Sequence, residues 1–77
     1  MRHEILDTVV LAHDVAEYGL RAGDLGAVVE THPPDRLEVE FVTASGRTTA
    51  LVSLRTADVR PIADTDIVAV RTVKRSA

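Results

Sequence analysis

Residues 36–43, RLEVEFVT, alternate apolar and polar positions along their whole length. Leu37, Val39 and Phe41 fall on one side of an extended chain; Glu38 and Glu40 fall on the other. A one-residue slip in pairing would bury both carboxylates, so the register of this strand is strongly specified. Four other runs read as strands. DTVVLAH (7–13) and GAVVETH (26–32) are rich in β-branched residues, and Pro33 and Pro34, which cannot donate to a ladder, stop the second. TTALVSL (48–54) follows a Ser45-Gly46 pair that signals a tight hairpin. VRPI (59–62) is a short last strand. The core expected from these patterns contains Val9, Leu11, Val28, Val39, Phe41, Leu51 and Leu54.

The connections add a topology. About a dozen residues, DVAEYGLRAGDL, separate the first two strands, and Gly19 and Gly23 limit any helix there to about one turn. The middle strands are joined by short turns, and RTAD (55–58) predicts a single 3-10 turn before the last strand. Long first loop, short turn, hairpin, 3-10 turn, short strand is the order of an all-β, SH3-like barrel of about five strands. Curling a small sheet into a barrel also removes most of its exposed edges. The barrel domain is expected over residues 5–63. Residues 64–77 form a tail whose IVAVRTV segment is a candidate for an extra C-terminal strand.

The glycine-spaced stretch GLRAGDLGAVVE (19–30) raises the question of a phosphate loop. Its spacing, G-x3-G-x2-G, matches neither GxxxxGK[ST] nor GxGxxG. A β-rich run follows where a phosphate site needs a helix N-terminus. The structural alternative is a turn at Gly23-Asp24, with Asp24 accepting from backbone N–H groups two residues on. In that reading Gly26 opens the strand at a point where a side chain would crowd the neighbouring chain.

The same stretch resembles the KOW motif of ribosomal and elongation-factor barrels at Gly23, Gly26 and Val28. The motif's basic residue before the middle glycine is Ala22 in this chain, and Asp24 adds a negative charge. The likeness therefore implies barrel geometry and not RNA binding. A broader resemblance runs from Leu6 to about Ile62, through LDTVVLAHDVAEYGLRAGDLGAVVE, LEVEFVTASGRT and LVSLRTADVRPI. These segments resemble a family of short bacterial proteins grouped as domain of unknown function 4926. The resemblance implies an SH3-like fold, protein binding, and for some members a place as the small partner of a toxin–antitoxin-type pair. It transfers no catalytic residue.

Charge changes the picture. The chain has a formal net charge of −3, with nine acids against three bases in residues 1–40 and three against six in residues 41–77. An acidic first half speaks against a nucleic-acid face there. There is no cysteine, which excludes disulfides and thiolate metal sites and fits a reducing cytoplasm. The segment MRHEILDT lacks the apolar core of a secretory signal, and apolar runs of about four residues are too short to span a bilayer.

Candidate chemistry is sparse. His3, His13 and His32 show no metal-binding spacing, although His13 and His32 end two strands that could bring them together. Glu38 and Glu40 read as solvating charges, and no serine has a histidine–acid context. No catalytic, cofactor or metal residue is expected, and the chain reads as a non-enzyme. With Tyr18 and Phe41 as its only aromatics, it lacks the groove with which SH3 domains dock polyproline.

The long loop is the candidate binding element. Asp14, Glu17, Tyr18 and Asp24, beside the turn carrying Asp35, make an acidic face suited to a basic protein surface. Tyr18 either anchors the partner or folds back over the barrel end. The expected function is a cytoplasmic protein-interaction module, monomeric or weakly dimeric, taking the antidote role of a toxin–antitoxin-type pair. The alternatives are a KOW-like nucleic-acid barrel using Arg47, Arg55, Arg60, Arg71, Lys74 and Arg75, and an accessory subunit of an enzyme.

Overall fold

The computed structural model describes residues 3–73. The alternating segment forms the centre of the fold. Leu37, Val39 and Phe41 are buried and Glu38 and Glu40 half-buried along β3 (Arg36–Val42). It lies between β2 (Leu25–His32) and β4 (Thr48–Arg55), both antiparallel to it. β1 (Thr8–Leu11) pairs with the first half of β2 on one side and with β5 (Val59–Pro61) on the other. The result is one five-stranded antiparallel sheet in the order β4-β3-β2-β1-β5.

The sheet curls on itself into the SH3-like arrangement. Register shifts occur between Val28 and Glu30, where β2 carries the extra residue Val29, and opposite Phe41–Val42, where β4 carries the extra residue Thr49. Such irregularities bend and coil a strand. One buried cluster then receives side chains from every strand, including Val9 and Leu11 of β1, Val52 and Leu54 of β4, and Val59 of β5. A 3-10 turn, Thr56–Asp58, closes the gap between β4 and β5. A second, Ala16–Tyr18, is the single helical turn expected in the long loop.

The β3–β4 hairpin turns at Ser45-Gly46 as expected. Gly46 has φ +85°, a region that side chains disfavour, and its N–H donates to the Thr43 carbonyl at 2.9 Å. Gly26 faces the core for a different reason. A Cβ built there would lie 2.5 Å from Val39 Cγ1, 2.9 Å from Phe41 Cε1 and 3.2 Å from the Glu40 carbonyl oxygen. The crowding inferred for this glycine is therefore a close approach of β3.

Three expectations need correction. Leu51 is not in the core: it is 54% exposed, while Ala50, Val52 and Leu54 of the same strand are buried. Leu51 and Leu54 are an odd number of residues apart, so a regular strand turns them to opposite faces. The IVAVRTV segment is not a strand through residue 73; residues 62–73 carry no regular ladder. Asp24 bonds backward rather than forward: its Oδ2 accepts from Arg21 N–H at 2.8 Å, three residues earlier.

Candidate protein-binding rim

The long loop is a pinned hairpin. Ala12 N–H donates to the Asp58 carbonyl at 2.8 Å where the chain leaves β1. Asp14 Oδ1 then accepts from Ala22 N–H at 2.9 Å, tying the two arms together. Val15 and Leu20 exchange backbone bonds of 2.9 and 3.1 Å as an isolated bridge. Leu20 is 3% exposed and belongs to the core cluster, with Val15 packed against it. Between these two anchors the 3-10 turn carries Glu17 and Tyr18 outward, and Tyr18 is 46% exposed. The tyrosine thus stands at the tip of a loop whose base is held by core packing and four backbone-directed bonds.

Asp35 reaches the same rim through the second 3-10 turn. Arg36 pairs with Arg55 at the end of β4, and Val59 pairs with Leu11 at the end of β1. The three residues 56–58 therefore bridge the β2–β3 turn and the start of the long loop. Thr56 N–H donates to the Asp35 carbonyl at 2.9 Å. Across the turn, His13 Nε2 donates to Asp58 Oδ1 at 2.7 Å, and Nδ1 lies 3.1 Å from the Asp14 carbonyl. Both partners only accept, so this geometry suits the doubly protonated ring. The hydrogen bond to Asp58, then that to Asp14, raise the His13 pKa. Burial pushes the Asp58 carboxyl upward, but bonds from His13 and from Arg55 N–H outweigh it, and its pKa falls below the usual carboxylate value.

Asp24 is already engaged. The Arg71 guanidinium holds both of its carboxylate oxygens, with Nε 2.9 Å from Oδ1, and also donates to the Gly19 carbonyl at 2.9 Å. Burial works against the Asp24 charge, yet the bonds from Arg71 and Arg21 hold its pKa below the ordinary range. Glu17, Asp14 and Asp35 remain exposed on the rim, whereas the Asp24 charge is matched within the chain. The basic residues of the nucleic-acid alternative are similarly divided. Arg60 is held by both oxygens of Asp66 at 2.9 Å, and Arg71 by Asp24. Arg47 and Arg55 are exposed, and Lys74 and Arg75 lie outside the described residues.

His13 and His32 do not meet. Antiparallel pairing sets the end of β1 beside the start of β2, so residues that end both strands lie at opposite ends of the pair. His32 instead bonds Glu38 at 2.6 Å on the outer face. His3 is buried. Among the described residues no three His, Asp or Glu side chains stand close enough to hold a metal ion. No described helix is long and apolar enough to cross a membrane. The His13–Asp58 and Arg71–Asp24 pairs join residues 45 and 47 positions apart, and neither has a local sequence signature.

Five strands, a long pinned loop and a 3-10 turn before β5 thus occupy residues 8–61. A family model described as Domain of unknown function (DUF4926) matches residues 5–61. The chain belongs to the DUF4926 family. The DUF4926 match takes in every strand and both 3-10 turns, and it ends at Pro61, the last residue of β5. Comparisons with curated proteins and with solved structures found no match.

Proposed function

We propose that this DUF4926 protein is a non-enzymatic, cytoplasmic protein-interaction module whose partner presents a basic surface. In a toxin–antitoxin-type pair it takes the antidote role. The observation that carries this reading is Tyr18, a half-exposed aromatic held at the tip of a loop tied down on both arms. A pre-ordered aromatic loses little entropy on binding, and such residues dominate interface energies. Glu17, Asp14 and Asp35 around it supply a negative rim that raises the on-rate for a cationic partner.

Co-purification from the native cell identifies the partner, and surface-plasmon kinetics test the rim. Tyr18→Ala should raise the off-rate about tenfold or more. Asp14→Lys with Glu17→Lys should slow association, with the loss shrinking as salt rises. Unchanged kinetics in both variants would refute this rim, and tight, salt-sensitive RNA binding would favour a nucleic-acid role instead.

A further inference from the structure

Beyond β5 the chain crosses an apolar groove on the barrel. The groove, about 750 Å³, is lined on the barrel side by Val10, Leu25, Phe41 and Val42 and on the other by Ile62 and residues 66–73. Two charged clamps hold this strap. At its start Arg60 grips Asp66, whose Oδ2 also accepts from Ala63 N–H at 2.7 Å. At its end Arg71 grips Asp24 and the Gly19 carbonyl. Between the clamps the strap makes poor use of the surface beneath it. Ile67 is 93% exposed and Val70 is 98% exposed, so although both border the groove neither is packed into it. The strap carries no regular ladder.

We propose that this groove is a docking site for an extended segment of the protein partner that carries an arginine flanked by apolar residues, and that the chain's own strap occupies it in cis until the partner displaces it. The inference rests on the protein-binding reading above and specifies the partner's chemistry at a second surface. Charge complementarity selects the occupant. Asp24 and the Gly19 carbonyl form an acceptor set that a guanidinium fills with two or three bonds at once, as Arg71 does. The Asp14 carboxylate adds to the attraction, since it too favours the charged form of Arg71. An incoming segment with apolar side chains turned inward would reproduce the clamp and also fill the groove, which the strap leaves open. A strap tethered about ten residues from its clamp competes at an effective concentration on the order of millimolar, so it holds the site until a better-fitting segment arrives.

The test is an NMR titration of the isotope-labelled full chain with a synthetic peptide of residues 62–73, IADTDIVAVRTV. Wild-type protein resists the peptide, because its own strap competes. Arg71→Ala in the protein should bring on shifts at Leu20, Gly23, Leu25 and Val42 at tenfold lower peptide concentration or less. The same peptide with its own Arg71→Ala should shift nothing, a control that leaves the protein's fold untouched. Asp24→Asn in the protein should remove the response, while Tyr18→Ala should leave it intact. Equal responses from wild type and Arg71→Ala, or none from either, would overturn the proposal. So would dimerisation of wild type that Arg71→Ala abolishes, since the occupant would then be a second copy's strap. A Tyr18→Ala variant that keeps its partner kinetics while the peptide exchange holds would refute only the rim, not the groove.

Discussion

Adding one methyl group at Gly26 should cost stability, and the sign of the effect is decided by space. Gly26 lies in β2 with a φ outside the left-handed region, so alanine meets no backbone penalty there. In open space Gly→Ala would stabilise by about 0.4–1 kcal/mol, because the unfolded chain loses freedom. Here the new carbon would fall 2.5 Å from Val39 Cγ1 and 2.9 Å from Phe41 Cε1, both side chains buried in the core. The Glu40 carbonyl at 3.2 Å blocks retreat on the third side. Overpacking of this kind costs about 1–3 kcal/mol, and two contacts below van der Waals distance place Gly26→Ala at the upper end. Subtracting the entropic gain leaves about 2 kcal/mol. For a domain of this size that lowers Tm by about 8–16 °C. Total stability should be only about 4–12 kcal/mol, so the change is easily read in a thermal melt followed by circular dichroism. Val39→Ala in the same chain removes the nearest clashing atom. The double variant should therefore lose at least about 0.5 kcal/mol less than the sum of the single losses. A Gly26→Ala protein as stable as wild type, or a cycle with no coupling, would refute the close approach of β2 and β3.

Two further predictions concern the core and the rim. Val39 is fully buried in the central strand, so Val39→Asp should cost more than about 3 kcal/mol and leave the chain unfolded or close to it; a near-normal melting curve would show the β3 register to be wrong. His13 has a folded pKa above the ordinary histidine value of about 6.5, so its pairing with Asp58 contributes fully below that pH and is lost as pH rises through the raised value. Tm should fall over that alkaline-going window in wild type and more weakly in His13→Gln, as melts across a pH series will show.

What the sequence determined by itself was local. The alternation of 36–42 assigns faces because successive side chains of a strand point opposite ways. Ser45-Gly46 marks the hairpin because a tight turn needs a positive φ. Gly26 stands out as a small residue at the head of a β-branched run, and the loop and turn lengths between such runs already order the strands of the barrel. In β4 the expectation of a buried Leu51 failed against the strand's own parity, since Ala50, Val52 and Leu54 share one face and Leu51 falls with Thr49 and Ser53 on the other. Pairing with β3 holds that parity, setting Leu51 opposite the outward Glu40 and Val52 opposite the buried Val39. The tail failed for a different reason. IVAVRTV has a strand's composition, but a strand requires a partner edge, and this segment is instead held by two charged clamps. The candidate site divides along the same line. Glu17 and Tyr18 project from a loop whose acidity is plain in the sequence, whereas Asp24 lost its outward charge to Arg71 and His13 gained Asp58. Those pairings join residues 45 and 47 positions apart: the β1–β5 ladder carries Asp58 to His13, and the segment beyond β5 carries Arg71 back to Asp24.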